Sequence, residues 1–82
     1  MSRSVNWEEI GSLARAVAPE LTATHCRALA HVGGAREACG DDWEPHPLTL
    51  AALVRLGYLQ DDEATPTLEG RVVLAAMHRG GR

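Results

Sequence analysis

Apolar residues recur at helical spacing along several stretches of this chain. Trp7, Ile10, Leu13, Ala14 and Val17 make one stripe, which predicts a helix over Asn6–Val17. Asn6 stands at its cap with Glu9 three residues on, the spacing of a capping box. Glu8 and Glu9 also suit the positive end of the helix dipole. Pro19 ends the segment, because proline disfavours helical geometry at Ala18. A second helix is predicted from about Thr22 to Val32, with Thr22 as cap. Leu21, Ala28, Leu29 and Val32 lie on one side, with His25 between them in the pattern, and Gly33-Gly34 stops it. Ala35–Cys39 reads as a short helical piece ended by Gly40.

Asp41–Pro47 breaks the periodicity with two prolines and a run of turn formers, so it reads as a loop. Pro47 suits the first turn of a helix capped by His46. That helix runs from about Pro47 to Leu56, with Leu50, Leu53 and Val54 inward. Gly57 reads as its left-handed exit and Tyr58 as the apolar contact that follows. Tyr58-Leu59-Gln60 and Thr65-Pro66-Thr67 then alternate as two short strands around the polar turn Asp61–Ala64. Thr67 caps a last helix from Leu68 to about Arg79. Leu68, Val72, Ala75 and Ala76 form its inward stripe, flanked by Val73 and Met77. The tail Gly80-Gly81-Arg82 is expected to fray. No repeat and no second domain is seen, so residues 1–82 read as one domain.

Length and composition narrow the functional classes. A chain of 82 residues and 8.8 kDa buries only about 60% of the surface its unfolded form exposes. It is too small for an elaborate catalytic cavity in a monomer. Eleven acidic residues oppose eight basic ones, a net charge of −3. That balance argues against a generic polyanion binder, whose affinity comes from clustered cations. All eight basic residues are arginine, beside thirteen alanines and no phenylalanine; the pattern looks like GC-rich coding. The N-terminal segment has no apolar core of a signal peptide. No apolar run approaches the roughly 18 residues of a membrane span. With two cysteines, too few for a disulfide scaffold, the expectation is a cytoplasmic protein with reduced thiols.

Leu53-Val54-Arg55-Leu56-Gly57-Tyr58-Leu59, a short acidic turn, then Thr67-Leu68-Glu69-Gly70-Arg71 resembles the recognition-helix end, wing and following helix of winged helix-turn-helix proteins. Transcriptional regulators of the multiple-antibiotic-resistance type show the same order. The resemblance covers about residues 22–77 and is specific only over Leu53–Arg71. It implies a mainly α domain with a two-stranded β-hairpin, of winged-helix-like architecture, and a function in DNA binding and transcription regulation as a homodimer. The alternative fold is a small orthogonal helical bundle in which Leu56-Gly57-Tyr58 is an ordinary helix stop. Three departures count against DNA. The wing tip is Asp61-Asp62-Glu63, which repels phosphate. The loop from Gly40 to Pro47 is long and acidic. The exposed set on the recognition helix, Thr49, Ala52 and Arg55, is poor for reading base edges.

Two sets of candidate residues follow. A DNA-binding module would use Thr49, Arg55, Arg71 and Arg79. A rival reading is a small acidic inhibitor or adaptor that docks on a protein with a basic surface. Only size and charge liken it to phage-encoded anti-CRISPR or RNA-polymerase-binding proteins. Its carriers would be Asp41, Asp42, Trp43 and Glu44 in one loop and Asp61, Asp62 and Glu63 in the other. Six of the eleven acids sit in those two loops. Trp43 would be an aromatic anchor with a charged rim.

Enzyme chemistry, metals and cofactors find little support. His25, Cys26, His31, Cys39 and His46 are close in sequence, yet the cysteines are thirteen residues apart and lack the short pairing of a structural zinc site. A cysteine hydrolase would need an oriented base and an oxyanion hole, which nothing marks. Gly33-Gly34 lacks the lysine and spacing of a phosphate loop. The expectation is a non-enzymatic module with no cofactor, no metal, no membrane span and no small-molecule substrate.

Overall fold

A computed structural model describes residues 6–35, 39–40 and 42–80. They fold as four helices: α1 (Trp7–Arg15), α2 (Ala23–Val32), α3 (Pro47–Leu56) and α4 (Leu68–Gly80). The short helical piece expected over Ala35–Cys39 falls largely outside the described residues, as does Asp41.

Each described helix starts where its capping chemistry sits. The Asn6 side chain accepts from the backbone N–H of Glu8 and Glu9 at 3.1 and 3.2 Å. Thr22 accepts from the His25 N–H at 3.2 Å, and His25 Nδ1 accepts in return from the Thr22 N–H at 3.1 Å. The pair closes a capping box in which histidine takes the usual place of Glu or Gln. An accepting Nδ1 puts the proton of the neutral ring on Nε2. His25 is thus a cap partner rather than a member of the apolar stripe. His46 Nδ1 accepts from the Leu48 N–H at 3.1 Å, with Pro47 at the first helical position. Thr67 Oγ1 accepts from the Gly70 N–H at 3.1 Å and donates to the Gly57 carbonyl at 2.6 Å. Gly57 ends α3 with φ of 94°, in the left-handed region.

The two-stranded hairpin is not formed. Among the described residues there is no strand, only one antiparallel bridge between Leu59 and Pro66. The Gln60 N–H donates to the Thr65 carbonyl at 2.8 Å and the Thr67 N–H to the Tyr58 carbonyl at 3.1 Å. Pairing stops there for local reasons. The Thr65 N–H that would bond back to Gln60 goes to the Asp62 carboxylate, the Tyr58 N–H goes to the Leu53 carbonyl at the end of α3, and Thr67 is already the cap of α4. The winged-helix-like architecture is corrected accordingly. The domain is a small helical bundle, in line with the alternative.

Helix α2 sits at the centre and packs on α1, α3 and α4, while α1 also packs on α4. Leu21, Cys26, Leu29, Cys39, Leu53, Leu59 and Val73 are the largest fully buried side chains. Two predicted faces are rotated. In α1 the inward residues are Gly11 and Ala14, while Leu13 and Val17 stay 40% and 49% exposed. A Cβ on Gly11 would lie 3.3 Å from the Ala23 Cα, so α1 meets α2 through its small residues. In α4 the inward residues are Gly70, Val73, Ala76 and Met77, whereas Leu68 and Val72 are 75% and 51% exposed. The helices approach on Gly and Ala, and larger apolar side chains are left at the margins.

Candidate functional site

The acidic turn is built by its own second carboxylate. Asp62 Oδ1 accepts from the Ala64 and Thr65 N–H groups at 2.9 and 3.0 Å, and Oδ2 accepts from the Thr65 hydroxyl at 2.8 Å. Those bonds, the Ala64 N–H first among them, hold its carboxyl below the usual aspartate range. Asp62 is therefore committed to the turn. Asp61 and Glu63 are exposed beside it. Glu63 adopts φ of 58°, the one non-glycine with positive φ among the described residues.

Trp43 is likewise committed. Its half-buried ring packs against the core, with the Arg27 guanidinium 4.4 Å over its face. His31 meets it edge-on at 5.7 Å between ring centroids. Arg27 donates to the Cys39 carbonyl, and the Cys39 thiol donates to the Arg27 carbonyl at 3.3 Å. This reciprocal pair ties α2 to the start of the acidic loop. Trp43 serves as a strut for that loop, with Asp42 and Glu44 exposed on either side.

The structure brings the two acidic segments together. A shallow pocket of about 200 Å³ is lined by His31, Val32, Pro45, Leu50, Glu63 and Ala64. Pro45 comes from the first acidic segment, and Glu63 and Ala64 from the second. The end of α2 and the first turns of α3 form the floor. Sequence reasoning had no access to this junction, because the segments lie about twenty residues apart and meet only through helix packing.

Thr49 is half-buried, and Arg55 and Arg71 are exposed. Thr49 and Arg55 are six residues apart on α3, which at about 100° per residue places them roughly 120° apart around the helix. The Arg79 side chain lies outside the described residues. The most exposed residue of α3 with a large apolar side chain is Leu48, at 74%, which offers no hydrogen bond to a base.

Both thiols are buried, and two of the imidazoles are used by the backbone beside them. Burial pushes the thiol pKa of Cys26 and Cys39 up, and Cys39 is bonded to backbone. His25 and His46 serve as helix caps. Among the described residues no three His, Cys, Asp or Glu side chains are placed to hold a metal ion. None of the described helices is long and apolar enough to cross a membrane. Comparison with protein-family models, with curated proteins and with solved structures gave no match.

Proposed function

We propose that this chain is a non-enzymatic, cytoplasmic binding module that docks on the basic surface of another protein through its acidic end. The observation that carries this reading is the junction of the two acidic segments at one pocket. Asp42, Glu44, Asp61 and Glu63 then act from one end of the molecule rather than as two unrelated loops. Concentrated like charge raises the association rate with an oppositely charged partner and selects against acidic ones. Six of the eleven acids lie in these two segments, so the remaining five acids and eight arginines leave the rest of the chain net positive and confine the negative field to that end. The DNA reading has less support, because the wing it needs is not formed and Thr49 and Arg55 lie roughly 120° apart around α3.

The test is affinity capture from the source cells after nuclease treatment, followed by reconstitution with the purified partner. Direct binding should weaken as salt rises, since exposed charges are screened. The double reversal Asp42→Arg with Asp61→Arg should abolish it while the thermal melt stays that of the parent. Capture that needs nucleic acid, or that survives the reversal, would sink the reading.

A further inference from the structure

The pocket between the acidic segments has a shape and chemistry of its own. At about 200 Å³ it is smaller than the roughly 300–1,000 Å³ of sites that enclose a drug-sized ligand. It is sized for one side chain. Val32, Pro45 and Leu50 supply apolar walls, the His31 imidazole lines the pocket as well, and the carboxylate among its lining residues is Glu63. An apolar slot with a carboxylate at its rim fits a long cationic side chain. The methylene stem lies along the walls, and the charged head reaches the carboxylate and water. Asp42, Glu44 and Asp61 are exposed on the two segments that contribute Pro45, Glu63 and Ala64 to the pocket.

We infer that this pocket receives an arginine side chain from the partner protein, with Val32, Pro45 and Leu50 against its stem and Glu63 pairing with its guanidinium. Arginine fits better than lysine, since a planar guanidinium can take both carboxylate oxygens at once and is more weakly hydrated. The inference rests on the protein-docking reading and names the anchor of that contact.

The probe is N-acetyl-arginine amide, titrated into the isotope-labelled chain and followed by amide chemical shifts. Saturable shifts should centre on Val32, Leu50, Glu63 and Ala64, with a dissociation constant on the order of millimolar for a single side chain. N-acetyl-citrulline amide, the neutral isostere, should bind at least about tenfold more weakly. Glu63→Gln should remove the same discrimination. Glu63→Gly relieves the positive φ, so loss of binding in that variant cannot be blamed on unfolding. Leu48→Gln, outside the pocket, should bind as the parent does. Shifts that grow linearly without saturating, or citrulline binding as well as arginine, would overturn the inference. The two readings fail separately. If arginine amide does not bind but the Asp42 and Asp61 reversal still abolishes partner capture, the docking surface stands without the anchor. If arginine amide binds and the reversal leaves capture intact, the anchor pocket stands and the acidic-loop reading falls.

Discussion

Single atoms decide two positions. A Cβ at Gly70 would sit 2.2 Å from the Tyr58 carbonyl oxygen, and that atom is backbone already used by the Thr67 N–H. Neither side can yield cheaply, so Gly70→Ala should cost roughly 3 kcal/mol or more. Chemical denaturation would show it as a lower midpoint at unchanged slope, whereas a loss under about 1 kcal/mol would mean the chain shifts there freely. In the sequence Gly70 stands only as one residue of the winged-helix-like motif, and it is the structure that sets the chain segment leaving α3 against it. Glu63 makes the opposite case. Replacing it by glycine removes a side chain from a left-handed conformation and should stabilise the domain by about 0.5–1 kcal/mol. A melting temperature that fell on this change would show that the glutamate side chain supports the turn.

At the level of elements, starts and stops were legible because capping is local. Asn6, Thr22, His46 with Pro47, Gly57 and Thr67 each act within a few residues of themselves, so their spacing carries the information. Helix faces were less legible, because the inward side is chosen by a partner helix distant in sequence. In α1 and α4 the expected Ala14 and Ala76 do face inward, beside Gly11 and Gly70, which a reading by side-chain size ranks low, while Leu13, Val17, Leu68 and Val72 are left exposed. The strands were misread for a related reason. Short apolar alternation around an acidic turn is shared by a hairpin and by a one-bridge turn, and what separates them here is the Asp62 carboxylate, which takes the Thr65 N–H that a ladder would use. Within that turn Asp62 replaces the ladder that was expected. Asp62→Ala removes three acceptor contacts and should speed exchange of the amides of Ala64 and Thr65, with the four helices left intact by circular dichroism. Acidification should mimic it. The Asp62 pKa is lowered in the folded chain, so its contribution is present above the ordinary value of 3.8 and is lost as pH falls through the lowered one.

Across the whole molecule, long-range links tie the acidic end and the core into one unit, and one of them can be read directly by titration. The Tyr58 hydroxyl donates to Glu20 at 2.5 Å, joining residues 38 apart in sequence. Glu20 lies in the connection between α1 and α2, and Tyr58 follows α3, so this bond closes the bundle across its two halves. Its ring is buried while its hydroxyl reaches the exposed carboxylate. The hydrogen bond to Glu20 raises the phenol from its ordinary 10.0 to about 12, with burial and the charges of Glu20 and Glu69 acting the same way. The same bond lowers the Glu20 carboxyl from its ordinary 4.5. The signs set the window. The raised phenol contributes fully below pH 10 and loses its contribution as pH climbs toward about 12. The lowered carboxyl contributes above pH 4.5 and loses its contribution as pH falls through its folded value. The stability difference between the parent and Tyr58→Phe should therefore be greatest between those limits and shrink on both sides. Tyr58 is the sole tyrosine, so tyrosinate absorbance follows this one group without interference. Its midpoint should fall near pH 12 in the folded chain and return to about 10 in denaturant. A folded midpoint at the ordinary value, or a Tyr58→Phe difference that ignores pH, would mean that Glu20 does not hold the phenol and that this closure is absent in solution.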